Sequence, residues 1–407
     1  MTDSYGLLEP SYRDDPYPAL ARLREDAPVY YCEPWRCWLV TRYDDVVASF
    51  RDERLSADRA SGYAATLPPP VQDKLAPLIG NFGRWALMKD PPDHTRLRGL
   101  ISKAFTPRLV AQLGPKIAAT CDRLLAEAEA TAKAEGSFDL IEAYAFPVPV
   151  LVIGAMLGLP EDDAAKLKRW SMALSNFLGA SAMSQEIVGQ ALAAVVELEA
   201  YFGEQLERRR AAPGDDLLSS LLAAHEQDDR LDEAELLATC TMVLFGGHET
   251  TTNLIGNGVK VLLDHPEALA GLRADLDGGI GPAVEELLRY ESPILRMGRV
   301  AKQDLDIAGV EIAAGDRIYL MMAAANRDPA QFDGADQLDL GRADNRHLTF
   351  GHGRHFCLGA ALGRLEAQIA LTKLLERFEG LRVAGGAELR WLDNLTVRGL
   401  ERLELEP

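Results

Sequence analysis

Residues 350–359 read Phe350-Gly351-His352-Gly353-Arg354-His355-Phe356-Cys357-Leu358-Gly359. This is a glycine-spaced loop feeding a helical pattern that runs from Leu358 to about Phe378. A cysteine at that junction meets the free amides of the first helical turn, and the helix dipole favours negative charge there. The position is suited to a thiolate. A buried structural cysteine is the usual alternative, and the surrounding glycines and histidines weigh against it. Zinc is a sharper rival, because His352, His355 and Cys357 offer three ligands, the number found in catalytic zinc sites. A zinc site would leave the middle of the chain unexplained.

That middle is a long helix. Asp232 with Glu235 forms a capping-box start, and the pattern then runs from about Glu233 to Asp264, stopping at Pro266. At 1.5 Å per residue it spans roughly 48 Å, enough to cross a domain. Leu236, Leu237, Met242, Val243, Leu244, Phe245, Leu254, Ile255, Val259 and Leu262 make it apolar on nearly every side, so it belongs inside. Its centre reads Gly246-Gly247-His248-Glu249-Thr250-Thr251-Thr252, a run of poor helix formers. A buried helix that breaks local rules at its midpoint marks a functional position.

Composition narrows the classes. The 407 residues carry 43 Lys+Arg against 62 Asp+Glu, a formal net charge of −19. That acidity argues against nucleic acid or an anionic membrane as partner. With 47% hydrophobic and 26% charged residues there is material for a large core. Five dispersed cysteines (Cys32, Cys37, Cys121, Cys240, Cys357) make no disulfide framework and suit a reducing cytoplasm. The N-terminus lacks the basic start and apolar run of a signal peptide. The longest apolar stretch, Ala145 to Pro160, holds Pro147, Pro149 and Gly154 and falls short of the roughly 20 residues of a membrane helix, so a soluble protein is expected.

Along the chain, Pro16 to Glu25 reads as a short helix, Tyr30–Tyr31 with Cys37 to Thr41 as a hairpin, and Asp44 to Phe50 as helix. Residues 56–93 hold Gly62, Pro68 to Pro70, Pro77, Gly80, Gly83, Pro91 and Pro92. This predicts an irregular lid exposing Leu78, Ile79, Phe82, Trp85 and Met88. Helices dominate from Asp93 to Glu291. Residues 300–320 predict short strands, 323–355 a meander, and 381–405 strands again. The expected architecture is one mainly helical domain over 1–407, with β-rich minor parts near 28–42, 300–320 and 381–405.

Five motifs together resemble the cytochrome P-450 family, in family order. The loop 350–359 resembles its haem-binding signature. Gly246-Gly247-His248-Glu249-Thr250 resembles its oxygen-activation motif, and Glu286-Leu287-Leu288-Arg289 its Glu-x-x-Arg helix. Asn326-Arg327-Asp328-Pro329 with Phe332, Asp339 and Arg342 resembles the meander, and Asp90-Pro91-Pro92-Asp93-His94-Thr95-Arg96-Leu97-Arg98 the helix of propionate contacts. The likeness runs from about Pro16 to the C-terminus and points to the soluble bacterial branch served by ferredoxin. It implies the family fold, with the long helix crossing a haem b.

The resemblance also assigns roles. Cys357 is the axial thiolate, which pushes electron density onto iron. Phe350 packs near the sulfur, and Leu358 and Gly359 follow it at the haem. His94, Arg98, Arg299 and His355 hold the two propionates by charge-assisted bonds. Gly246 and Gly247 let the long helix approach the haem and leave room for O2. Glu249 relays protons to the Thr250 hydroxyl. For Thr250 the competing reading is a bond back to a carbonyl one turn earlier. His248 is read as structural, and Thr251 and Thr252 as packing or helix-bond residues. Glu286, Arg289 and Arg342 form a supporting network, and Arg96 is left for the surface.

For substrate, the candidates are Leu78, Phe82, Trp85, Leu87, Met88, Ile294, Leu295 and Met297, with Leu178, Val243 and Leu395 weaker. Arg296, a cation in an apolar stretch, either meets a substrate carboxylate or carbonyl, or pairs with a propionate or an acidic side chain. The implied activity is insertion of one oxygen atom from O2 into a small organic molecule, in a monomer receiving electrons from ferredoxin and ferredoxin reductase. Aromatic coupling or nitration is the neighbouring outcome; a non-catalytic haem sensor and a zinc hydrolase stand further off. Charge is uneven: Arg96, Arg98, Lys103 and Arg108 lie in an acid-free stretch, and Arg342, Arg346, Arg354 and Arg364 share theirs with Asp344 alone. Both stretches flank the expected thiolate side, so a basic patch steering an acidic ferredoxin is expected there.

Overall fold

The long helix spans Glu233–Asp264, with both ends where the sequence puts them. The Glu235 amide donates to Asp232 at 2.6 Å, and the Asp232 amide donates to the Glu235 carboxylate at 3.2 Å. This is a computed structural model, and it describes residues 4–65, 68–180, 183–228, 231–386 and 388–407. The long helix packs against helices Pro147–Met156, Ala164–Gly179, Gln185–Ala211, Leu276–Tyr290 and Ala360–Arg377. Neighbours on so many sides explain why it is apolar nearly all round. Among the described residues no helix is long and apolar enough to cross a membrane.

Sheets are minor. Strands Val29–Cys32, Cys37–Val40, Arg317–Leu320, Met297–Ala301 and Leu55–Ser56 lie side by side in that order. The register pairs Met297 with Leu320, Gly298 with Tyr319 and Arg299 with Ile318. Alternation therefore puts Gly298 and Tyr319 on one face, and Met297 and Arg299 on the other. Phe138–Asp139, Glu404–Glu406 and Arg382–Val383 form a second sheet. Arg390–Trp391 pairs with Leu400–Arg402, and Leu305–Ile307 with Val310–Ile312. The expected β-rich parts are all present. The two-residue strands Leu55–Ser56 and Phe138–Asp139 were not expected, being too short to carry an alternating pattern.

One region differs outright. Residues 56–93 are not an irregular lid: they contain helices Arg59–Ala65 and Pro69–Gly83, then a turn of 3-10 helix at Ala86–Met88. Pro69 and Pro70 occupy the first turn, where a missing N–H costs nothing. Pro77 lies inside the helix on its exposed face. Burial of Leu75, Leu78, Asn81 and Phe82 along the opposite face outweighs the bond it removes. Of the five hydrophobes expected to be exposed, Leu78 and Trp85 are fully buried, Phe82 and Met88 nearly so, and Ile79 partly.

Candidate active site

The loop before Cys357 turns twice through left-handed backbone, at Gly351 (φ +71°) and Gly353 (φ +69°), where a side chain would be strained. The Cys357 amide closes it on the Phe350 carbonyl at 2.8 Å. The following helix is Ala360–Arg377, two residues later than expected, with Gly359 as its N-cap. Cys357 is exposed, whereas the other four cysteines are buried. Protein packed around its sulfur raises the thiol pKa; the Gly359 amide, Arg98 and Arg364 act in the opposite direction. Phe350 is half-buried, with the Arg364 guanidinium 4.3 Å above its ring.

Beside this loop lies a cluster of donors. The His94 and His355 rings stand 4.1 Å apart. Burial, then Arg299 and His94, pushes the His355 pKa down to about 3, and burial followed by Arg98 lowers that of His94. Each ring carries an N–H that can donate. Arg299 is buried, spends one nitrogen on the Gly298 carbonyl at 2.8 Å, and leaves Nη2 without a partner. Burial and the nearby Arg59 weigh against its charge, yet a guanidinium does not give up its proton. Arg98 is half-buried, its pKa lowered by desolvation. Two cations and two imidazoles, one donor atom orphaned, make a cradle for carboxylates. This fits the propionate end of a haem.

At the centre of the long helix the two glycines do different things. A Cβ on Gly246 would meet nothing within 4 Å, so this glycine faces open space. A Cβ on Gly247 would lie 2.7 Å from Ile153 Cδ1. Gly247 therefore serves close packing against helix Pro147–Met156, not approach to a cofactor as expected. The Thr250 hydroxyl lies 3.4 Å from the Gly246 carbonyl, one turn back, and Thr252 makes the same bond to His248 at 3.0 Å. Burial pushes the Glu249 carboxyl up to about 7, against a hydrogen bond from Ser175, and its Oε2 has no partner. His248 is buried, with Ser171 at 3.2 Å and the Phe146 ring edge-on.

The loop rests on an internal ion network. Arg289 donates to both Glu286 oxygens at 2.8 Å, and Arg342 adds a third bond at 3.1 Å. Arg289 also donates to the carbonyls of Asn326, Ala335 and Gln337, tying the meander to helix Leu276–Tyr290.

The substrate candidates do not all come together. Leu78, Phe82, Trp85, Met88 and Val243 share the main core, with Leu87 and Leu178 packed against it. Ile294 and Met297 pack on a second cluster. Leu295 and Leu395 belong to a third, and line a cavity of about 260 Å³ with Trp35 and Trp391 near the N-terminus. Among the described residues Arg296 pairs with no acidic side chain; it lies 3.9 Å above Tyr319 and 4.8 Å above Trp35, with Nε and Nη1 unbonded.

Sequence reasoning missed Phe177 and Phe245, whose rings pack on Phe82 and Trp85. It also missed Arg59 and the buried Glu366, whose carboxyl is held far above its usual range by burial beside Thr251. Only the nearness of Phe245 to Gly246 could have signalled any of them.

The charge reading is corrected too. Arg96 is not a free surface residue: it donates to both Glu235 oxygens, at 2.5 and 2.9 Å. Arg354 pairs with Glu53, Arg364 with Glu285 and Arg346 with Asp344. Paired acids cancel most of the long-range field counted in the sequence. Burial would raise Glu285, but hydrogen bonds from His347 and Arg364 hold it down to about 2. Among the described residues no group of three His, Cys, Asp or Glu is placed to hold a metal ion. His352 instead contacts Arg51 at 2.9 Å, so the zinc reading has no ligand set.

Comparison with known proteins agrees with this geometry. The family model "Cytochrome P450" matches residues 78–389. The chain is 38% identical over 405 residues to a biotin biosynthesis cytochrome P450 of Bacillus subtilis (strain 168), covering 99% of each. It is 42% identical over 391 residues to nocardicin C N-oxygenase of Nocardia uniformis subsp. tsuyamanensis, covering 94% of this chain and 93% of the other. Among solved structures, the myxobacterial cytochrome P450 CYP267B1 in complex with myristic acid superposes with a TM-score of 0.88 at 38% identity, covering 98% of both.

Proposed function

Because the chain belongs to the cytochrome P450 family of haem-thiolate monooxygenases, we propose that it hydroxylates or epoxidises a small organic substrate with electrons from ferredoxin and ferredoxin reductase. The haem, held through the Cys357 thiolate, supplies activation of O2. One observation carries the residue assignment: the orphaned Arg299 nitrogen beside the adjoining His94 and His355 rings, next to the cysteine loop.

The chain's own residues then divide the work. The Gly359 amide and Arg98 favour the anionic form of Cys357. Arg98 and Arg299 supply charge to the propionates, and His94 and His355 supply N–H groups. Glu249, with its pKa near neutrality, takes up and releases protons for the Thr250 hydroxyl. Gly246 leaves open space beside that hydroxyl. Phe82, Trp85, Phe177 and Phe245 make an aromatic wall that excludes water and favours an apolar substrate. The whole chain acts as one domain and as a monomer, in the cytoplasm.

Two measurements test this. Reduced protein under CO should show the long-wavelength Soret band of a thiolate ligand, lost in Cys357→His. A colourless protein, or an imidazole-like band in the wild type, would overturn it. Turnover under ¹⁸O2 should place one labelled atom in the product; a product without label would refute oxygen insertion.

A further inference from the structure

Arg59 begins helix Arg59–Ala65, and its side chain crosses the central sheet over Gly298. A Cβ at Gly298 would lie 2.7 Å from Arg59 Cδ and 3.4 Å from Tyr319 Cε1. Glycine thus leaves a slot that the arginine stem fills. Beyond it, Nη2 lies 2.9 Å from Met88 Sδ and Nη1 3.7 Å from Met297 Sδ. Thioethers are weak acceptors. Nε is shut off from water and has no partner, and no carboxylate pairs with this arginine among the described residues. Nearby Asp58 is occupied by the Ser61 amide. Desolvation lowers the Arg59 pKa, against weak help from Tyr319 and Asp58. Arg59 is half-buried, with its Nε cut off from water; a cation held this way without an anion is costly, and the cost is recovered when an anion arrives.

The charge count says where that anion comes from, resting on the monooxygenase reading above. Two propionates are matched in charge by the two guanidinium groups of the cradle, Arg98 and Arg299. Arg296 lies over the faces of Tyr319 and Trp35. Arg59 is the cation left over, flanked by Met88 and Met297, two positions read as substrate contacts. We propose that Arg59 is the receptor for a carboxylate on the substrate, so that the enzyme takes apolar acids in preference to the corresponding alcohols.

The test is a spin-state titration of the haem-loaded enzyme with tetradecanoic acid and with 1-tetradecanol, for wild type, Arg59→Met and Arg59→Lys. Haem content and the CO band are measured on the same samples. The wild type should bind the acid about tenfold more tightly than the alcohol. Arg59→Met should abolish that preference by weakening the acid alone, and Arg59→Lys should retain part of it. The proposal fails if the wild type binds both equally or does not bind the acid. It also fails if Arg59→Met weakens both ligands together with haem content, because Arg59 would then serve a propionate. A missing CO band in the wild type would instead sink the monooxygenase reading itself.

Discussion

Arg289 and Glu286, three residues apart on one helix, share two parallel 2.8 Å hydrogen bonds, and water reaches neither side chain. A surface pair at this spacing would contribute little. Here both charges are committed, and Glu286 also receives Arg342, Asn345 and the Asp339 amide. Arg289→Met leaves a buried carboxylate short of its main partner, which should cost about 3–5 kcal/mol. Chemical denaturation measures it, and a loss below about 1 kcal/mol would contradict the network.

Glu285 gives a pH signature. Its native pKa, about 2, lies below the usual carboxylate value. A depressed carboxyl contributes stability that is complete above the unfolded pKa and fades as pH falls through the folded one. The urea midpoint of wild type should therefore exceed that of Glu285→Gln at about pH 6, and the gap should narrow steadily toward about pH 2. A gap that stays constant across this window would rule the linkage out.

Glu249 should set a pH limb in catalysis. With a pKa of about 7 it is largely protonated below neutrality and ionised above it. Coupling of NADPH consumption to product should fall as pH rises past about 7. Glu249→Gln should lower coupling at every pH, by roughly 10²-fold or more, and flatten that limb. An unchanged pH profile in the variant would remove Glu249 from the proton path.

Haem retention should depend on the donor cradle. Arg299→Gln removes a charge-assisted partner from a buried carboxylate, and haem transfer to apomyoglobin should speed up by about tenfold. Phe50, which lies 5.2 Å beneath the guanidinium, serves as a packing control. Phe50→Leu should change haem loss far less, and equal effects would point to packing alone.

Electron delivery should respond weakly to charge. Arg108 is exposed and has no ion pair among the described residues, so Arg108→Glu should slow ferredoxin-driven reduction a few-fold at low salt, and less at high salt. Arg364→Glu is a poorer probe, because it breaks the Glu285 pair and sets two acids together. A rate indifferent to both Arg108→Glu and ionic strength would move the docking face elsewhere.

Some of this was readable locally. The capping box at Asp232 and Glu235 and the stop before Pro266 define the long helix, because helix ends obey short-range chemistry. The loop at Cys357 was readable because left-handed glycines and a helix start are local features. The broken texture of 56–93 conceals its helices, because a proline such as Pro77 is tolerated on an exposed face and the sequence does not say which face it occupies.

By itself, the sequence determined the mainly helical architecture, the family and the thiolate loop, all of which rest on contacts between near neighbours in the chain. The tertiary structure alone decided which charges cancel, which glycine packs and which faces open space, and that Arg59 threads past Gly298 to end between two methionines. Those relationships join residues from separate elements. Burial sets their energy, and burial exists only once the chain has closed around them.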